Sequence, residues 1–282
     1  MKALLVGGRS ALAQALRPTL APSTEVITAG RDGCDVELDL TWPVERMIVP
    51  PDVEVVVNLA AHFGGPTFTD LLIAEETNAL GALKLAHACV RAGHPHLVQV
   101  STIFAGLTGT SPFFSSYALS KRHADELLDL YCRQADLALT TVRVSQIYGE
   151  GEEFRRHQPV LYALLDKAQR GQDIVLQGRN DALRNFIHVA DVAEIITRVV
   201  RLGVTGSFTC ANLTNTRFSE MAEAAVAAFD SKSTVRFDPD RPNIPDNAFE
   251  PDETLFRRIG YFPTISLHQG LAREAARRKT SR

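Results

Sequence analysis

The first patterned stretch is Lys2 to Val6, one charged residue and four apolar ones, closed by Gly7-Gly8. A short unbroken apolar run bounded by glycine marks a strand buried on both faces. Runs of similar character recur at Glu25 to Thr28, Val53 to Asn58, Leu97 to Val100 and Thr140 to Val144. Between them apolar residues return every three or four positions, briefly over Leu12 to Leu16 and at length over Leu71 to Arg91 and Tyr117 to Gln134. That spacing predicts amphipathic helices. Strands alternating with helices predict parallel pairing through right-handed crossovers, hence an α/β fold with a Rossmann-like, doubly wound parallel sheet.

The character changes after Gly149. A polar stretch over Gly149 to His157 leads to a helical pattern over Pro159 to Arg170, and Arg184 to Val189 reads as a strand. Asp191 stands where it would cap a helix over Val192 to Leu202. Asp238 to Asp252 carries Pro239, Pro242, Pro245 and Pro251 without helical period and predicts a long surface loop. The expected organisation is a dinucleotide-binding domain over 1–149 and a smaller C-terminal substrate-binding lobe over 150–282. Residues 173–203 are expected to return and pack on the first domain.

Composition adds exclusions. The formal charge of −3 argues against a nucleic-acid surface, and the one basic cluster, Arg277-Arg278-Lys279, reads as a solvated helix end. The four cysteines, Cys34, Cys89, Cys132 and Cys210, are scattered without metal-ligand spacing, as reduced buried thiols would be. No H-x-x-x-H pair occurs, and His94-Pro95-His96 reads as a turn, so no metal site is expected. The apolar run Ala3 to Val6 is too short for a leader or a membrane span. The expectation is a cytoplasmic protein with no membrane partner.

The candidate chemistry begins with Tyr117-Ala118-Leu119-Ser120-Lys121. A helix brings positions i and i+4 to one face, so a phenol and an ammonium become neighbours. A fixed cation favours the phenolate and predicts a lowered tyrosine pKa, suited to proton transfer at an alcohol or sugar oxygen. The plain alternative is an ordinary amphipathic helix, where this spacing arises by chance. Gly7-Gly8-Arg9-Ser10-Ala11-Leu12-Ala13 follows the first strand, where a glycine turn and a helix N-terminus can receive a pyrophosphate. Only the first glycine of a G-x-x-G-x-x-G turn is kept, with the small residues Ser10 and Ala13 in place of the others. The second strand ends in Thr28-Ala29-Gly30-Arg31 rather than in an acidic residue for the ribose of NAD. Arg31, with Arg9, suits the 2′-phosphate of NADP, and the alternative is two solvated arginines.

In this order the motifs resemble the extended short-chain dehydrogenase/reductase family, in its NAD(P)-dependent epimerase/dehydratase branch. The landmarks are the Gly7 turn, Asp39-Leu40, Asn58-Leu59-Ala60-Ala61, Asn78 with Gly81, Ser101-Thr102, the Tyr117/Lys121 pair, Arg143 to Gly149, and Arg184 to Val192. The resemblance implies that Asp39 and Leu40 flank an adenine and that Leu59, Ala60 and Ala61 line the cofactor crevice with Gly7, Arg9, Ser10, Ala11 and Leu12. It implies Tyr117 as general acid/base, Lys121 as its tuning cation and ribose ligand, and Thr102 as the group holding the reacting oxygen. Ser101 replaces Thr102 if the register differs by one, since Ile103 to Gly106 is one residue shorter than usual in the family. Arg184 is the candidate partner of a nucleotide-sugar pyrophosphate, the alternative being an ion pair with Asp181 or Asp191. Phe154, Arg155, Arg156, His157 and Gln158 are candidates for lining the substrate pocket.

The implied reaction passes a hydride between the nicotinamide of NADP or NAD and a sugar carbon while Tyr117 moves the proton. A dehydratase needs an acid–base pair after the catalytic threonine, where this chain has Ile103 and Phe104. The reading is therefore a reductase of 4-keto-6-deoxy nucleotide sugars, with a NAD-retaining epimerase as the alternative. Asn58-Leu59-Ala60-Ala61-His62 is also similar to the corresponding run of the dTDP-4-dehydrorhamnose reductases. A reading of another class is a non-catalytic dinucleotide-binding sensor, which the altered glycine turn favours and the Tyr117, Lys121 and Thr102 set opposes. Apolar residues beyond one helical stripe (Leu80, Leu83, Leu85; Leu127, Leu128, Tyr131) lead to the expectation of a homodimer.

Overall fold

A computed structural model describes residues 1–280. The chain divides into two compact units, the first comprising Met1–Val144, Ala193–Cys210 and Thr254–Gly260. The second comprises Ser145–Val192, Ala211–Glu253 and the chain from Tyr261 onward. The break falls after Val144, and the segment that returns to the first unit is Ala193–Cys210.

The first unit opens with β1 (Lys2–Val6), α1 (Ala11–Leu20), β2 (Glu25–Gly30), β3 (Val36–Glu37) and β4 (Val55–Asn58). It continues with α2 (Phe68–Ala74), α3 (Gly81–Arg91), β5 (His96–Thr102), α4 (Ser116–Gln134) and β6 (Leu139–Val144). The strand Gly206–Cys210 completes a seven-stranded sheet in the order Gly206–Cys210, β6, β5, β4, β1, β2, β3. Every pairing in it is parallel. The doubly wound parallel sheet expected from the apolar runs is what the chain forms. Leu4, Val56 and Leu97 are fully or almost fully buried in one core cluster with Leu85 and Leu128. Burial on both faces explains why these strands read as continuous apolar runs.

The strand order reverses at β1, whose neighbours are β2 and β4. In open α/β sheets ligands bind outside the carboxyl ends of the strands at such a point. The turns after β1 and β4 meet there. A Cβ on Gly7 (φ +80°) would lie 2.8 Å from the Ala60 nitrogen. Glycine at position 7 is thus required by both the left-handed backbone and this close approach.

Two expectations for the helices change. The pattern read as one helix over Leu71 to Arg91 is α2 and α3 joined by a π-helical segment, Glu75–Leu80. Leu85 and Leu128, expected on a dimer face, are 0% exposed and belong to the core. The large apolar residues left exposed on α2, the π-helical segment and α4 are Phe68, Leu71, Leu72, Leu80 and Leu130. His96, expected in a turn, opens β5 and bonds Thr140 through its imidazole.

The second unit has three two-stranded ladders. Gln146–Tyr148 pairs in parallel with Phe186–His188, and Ile174–Gln177 with Val235–Asp238. Leu183–Arg184 pairs antiparallel with Thr216–Arg217. The helices Pro159–Gln169, Phe218–Phe229 and Leu267–Thr280 pack on one another. The basic tail is not a solvated helix end, because Arg278 is 8% exposed and bonds Glu274, itself 1% exposed. No helix among the described residues is long and apolar enough to cross a membrane.

Candidate active site

β5 and α4 deliver the reactive side chains. β5 ends at Thr102, which starts a short 3₁₀ turn, Ile103–Gly106, and accepts the Phe104 amide at 3.3 Å through Oγ1. α4 begins at Ser116, one residue before Tyr117, with Ser115 as N-cap accepting from the Ala118 amide. The Thr102 side chain lies close enough to the Tyr117 phenol to favour its ionised form. Ser101 is 1% exposed, and its hydroxyl has no partner among the described residues. Thr102, rather than Ser101, is the group placed beside Tyr117.

Lys121 is 1% exposed, and its Nζ donates to the Val100 carbonyl at 2.7 Å, fixing the ammonium at the end of β5. Burial pulls the Lys121 pKa down to about 8, against the opposing charge of Asp125. The phenol departs from expectation. Burial pushes Tyr117 up to about 12, the Thr102 side chain offsets part of this, and Asp125 adds to the rise. Desolvation of the phenolate outweighs the Thr102 interaction, so the phenol is harder to ionise here than a free one.

The loop after β4 shapes the space around Tyr117. The Phe63 ring stacks on the Tyr117 ring at 5.2 Å between centroids and 26° between planes. Asn78, in the π-helical segment, holds this loop from both sides: its Oδ1 accepts the His62 amide at 2.8 Å and its Nδ2 donates to the His62 carbonyl at 2.7 Å. The same Nδ2 donates to Ser120 Oγ at 2.9 Å, tying the loop to α4 one turn from Tyr117. The extra residue of a π segment re-aims such side chains, which is why these segments recur at functional sites. Asn78 is a structural support of this loop. Phe63 was not singled out from sequence, and the only signal was its place between the crevice motif and Gly64-Gly65.

Gly64 (φ +71°) allows the loop to reach the start of α4. A Cβ there would lie 2.2 Å from Ser116 Oγ and 2.9 Å from the Tyr117 nitrogen. Gly64→Ala is expected to destabilise by about 1 kcal/mol or more, since alanine resists a positive φ and the clash adds to it. Thermal melts of the variant check this, and an unchanged midpoint would refute it.

The cofactor-binding candidates line the switch point. Ser10 caps α1, its Oγ accepting the Ala13 amide at 3.2 Å, so the residue that replaces the second glycine of the turn closes the helix. Ala13 is 2% exposed and keeps the close packing a third glycine would allow. The first-turn amides of Ala11 and Leu12 have no intrahelical acceptor and face outward along the helix axis, as an anion site requires. Leu59 is anchored by its amide to the Val6 carbonyl at 2.9 Å, and Ala60 by its amide to Asn58 Oδ1 at 3.2 Å. Together with Ala61 they form the wall against which Gly7 packs. Arg9 donates to the Asp32 carbonyl at 3.3 Å, and Arg31 is exposed at the end of β2, so both arginines border the loop after β2. Asp35, which sequence reasoning passed over, closes that loop by accepting the Thr28 amide and hydroxyl, each at 2.8 Å. Asp39 accepts the Thr41 amide and hydroxyl through Oδ1. Leu40 is 4% exposed against Gly81, so its side chain lies in the core and only its backbone is free to flank a base. Glycine at position 7, the first-turn amides of Ala11 and Leu12 and the helix N-terminus meet the requirements of a dinucleotide's pyrophosphate.

In the second unit Arg184 lines a cavity of about 320 Å³ with Lys167, Gln177, Asn180, Phe218 and Phe237. Its guanidinium donates to the Leu183 and Pro245 carbonyls and lies 4.8 Å over the Phe218 ring. The two carboxylates considered as its partners have other roles. Asp181 accepts from the Ser219 amide and hydroxyl. Asp191, in the first turn of the helix Val189–Leu202 rather than at its cap, accepts from the Tyr261 hydroxyl and the Thr264 and Ile265 amides. Three pocket candidates are structural. Phe154 is 7% exposed, Arg155 bonds Glu152 and Asp166, and Gln158 donates to the Ile147 carbonyl.

With this geometry in view, comparison with known proteins gives a consistent result. Over 129 residues the chain is 29% identical to a dTDP-4-dehydro-6-deoxy-D-allose reductase from a Streptomyces species, covering 45% of this chain and 40% of that one. Over 151 residues it is 25% identical to the CDP-abequose synthase of Salmonella typhimurium, covering 54% and 49%. The aligned parts are thus about half of these curated relatives or less. Among solved structures, Bordetella bronchiseptica WbmF in complex with NADH superposes with a TM-score of 0.82 at 20% identity, covering 99% of this chain and 92% of that one. The Thermus thermophilus UDP-glucose 4-epimerase with NAD gives 0.77 at 21% over the whole of both chains. At such identities these likenesses establish the fold. The family model described as NAD dependent epimerase/dehydratase matches residues 3–209, well over half of the chain, and the chain belongs to that family.

Proposed function

We propose that this protein is an NADP(H)-dependent reductase of 4-keto nucleotide sugars, most naturally 6-deoxy ones. The observation that carries this reading is the Thr102–Tyr117–Lys121 cluster, a phenol beside a threonine at the end of β5 with a buried lysine one turn away. NADPH held at the turn after β1 would supply hydride chemistry. Tyr117 gives its proton to the carbonyl oxygen as charge develops there, and Thr102 donates a hydrogen bond to orient that oxygen. Lys121 stabilises the phenolate left behind. Arg9 and Arg31, bordering the loop after β2, suit NADP(H), a cofactor that exchanges during turnover, and so favour a reductase over an epimerase that retains NAD. Ile103, 6% exposed, and Phe104 occupy the positions a dehydratase needs for its acid–base pair. In the second unit Arg184 and Lys167 on the cavity wall suit a diphosphate.

Mass spectrometry of any dinucleotide released on denaturation, with NADPH and NADH titrations, tests the reading. Preferential NADPH binding together with turnover of a 4-keto sugar supports it. Firmly held NAD⁺ would replace it with the epimerase, and NADPH binding without any turnover with the sensor. Arg31→Ser is expected to weaken NADPH about tenfold or more while leaving NADH unchanged, the loss of a charge-assisted bond to phosphate. Equal losses for both would remove Arg31 from the 2′-phosphate site.

The exposed Phe68, Leu72, Leu80 and Leu130 support a homodimer through α2, α3 and α4. Sedimentation showing monomer at micromolar concentration would exclude it. Four free cysteines, three of them buried, suit a reducing, cytoplasmic setting.

A further inference from the structure

α4 presents a third charged group on the face that carries Tyr117 and Lys121. Asp125 follows Lys121 by four residues, so the three side chains succeed one another along one side of the helix. Asp125 is 5% exposed. Its Oδ2 accepts Arg143 Nε from β6 at 2.7 Å, and its Oδ1 is buried without a hydrogen-bond partner among the described residues. A buried carboxylate with one oxygen unsatisfied is unfavourable to folding unless its field does work nearby. Arg143 satisfies the charge only in part, since the Arg143 side chain is 40% exposed and partly solvated.

We propose that Asp125 is a positioning residue of the active site, a fixed buried countercharge for the Lys121 ammonium one turn before it on α4. The inference rests on the catalytic reading of Tyr117 and Lys121. The surroundings leave Asp125 as the anion available for this role. From β5 Lys121 meets the neutral Val100 carbonyl and, beside Tyr117, the neutral Thr102. From β6 comes only the cation Arg143. The carboxylate of Glu75, at the start of the π-helical segment, is held by His123 at 3.0 Å. On α3, Lys84 donates to the Trp42 carbonyl and His87 bonds Tyr131. Arg122 donates to the Ala105 carbonyl. The direction agrees with the opposing shifts at Lys121, where burial lowers the pKa and Asp125 raises it.

The test is the titration of Lys121 by NMR of protein carrying isotope-labelled lysine, with the signal assigned by its loss in Lys121→Met. In folded Asp125→Asn the Lys121 midpoint is expected to fall by about one pH unit, and Asp125→Glu to restore it. Arg143→Gln removes the cation that competes for Asp125 and is expected to move the midpoint upward. It also serves as the second variant should Asp125→Asn fail to fold. A midpoint unmoved in folded Asp125→Asn, or in Arg143→Gln where only that variant folds, overturns the proposal. The titration needs neither cofactor nor substrate, so a separate failure of keto-sugar turnover counts against the function and not against the Asp125–Lys121 coupling.

Discussion

Tyr117→Phe is expected to lower turnover of a 4-keto sugar by about a hundredfold to ten-thousandfold, the range that a positioned general acid contributes. The substitution removes one hydroxyl and keeps the ring, so the Phe63 stacking at 5.2 Å persists and the loop after β4 keeps its place. The crevice between Gly7 and Ala60 is untouched, and NADPH affinity should change little. Rates and dinucleotide titrations measured together separate the outcomes. Lost turnover with intact binding assigns the proton to Tyr117, and unchanged turnover would remove it from the chemistry. The pH profile supplies a second check. With Lys121 titrating near 8, turnover should fall as the pH rises through that value and the ammonium beside Tyr117 disappears.

The largest stability effect is expected at Glu274. Its carboxylate accepts Arg277 Nε at 2.8 Å, Arg278 Nε at 2.6 Å and the Gly151 amide at 3.1 Å. Arg278 also donates to Asp166 at 2.8 Å, and Asp166 accepts from Arg155, so the charges form one network linking the C-terminal helix to the helix Pro159–Gln169. Burial pushes the Glu274 carboxyl up, but the hydrogen bonds from Arg277 and Arg278 outweigh it and hold the pKa below the usual range. Such a depressed carboxyl adds stability above the unfolded glutamate value of about 4.3, and this is lost as the pH falls through the folded value. Glu274→Gln leaves the buried Arg278 guanidinium short of charge and is expected to cost about 3–5 kcal/mol, because removing one partner of a buried pair strands the other. Melting near neutral pH should show a loss of roughly 10 °C. A loss no larger than that of an exposed pair such as Arg133–Asp129 would mean that the network is only a surface feature.

The strands of the sheet were legible in the sequence because burial on both faces leaves an unbroken apolar run. Lys2–Val6 was read to the residue, and Leu97 to Val100 lies within β5. Helix α4 was read at Tyr117 to Gln134 and begins one residue earlier. The π-helical segment was not legible, because one inserted residue hardly alters an apolar pattern whose spacing already varies between three and four. Its cause is tertiary: Asn78 bonds His62 and Ser120, and Gly81 lies against Leu40, where a Cβ would come within 2.7 Å of the Leu40 Cβ. The tail Arg277-Arg278-Lys279 misled for a related reason. Basic residues at a helix end are usually solvated. Glu274 stands at helical pair spacing to Arg277 and Arg278, but its burial and the approach of Asp166 from another helix are not written in the local sequence.

By itself the sequence determined the alternation of strands and helices, the glycine required at position 7, and the placing of Tyr117 and Lys121 on one helical face. These follow from local periodicity and backbone geometry, which a chain carries wherever it folds. Only the tertiary structure decided that Thr102 rather than Ser101 is the neighbour that acts on the phenol, that burial raises rather than lowers the Tyr117 pKa, and that Asp125 is buried behind Lys121. Those outcomes depend on how much water the packed elements exclude and on which distant residues they bring together, and neither is written in the spacing of neighbours along the chain.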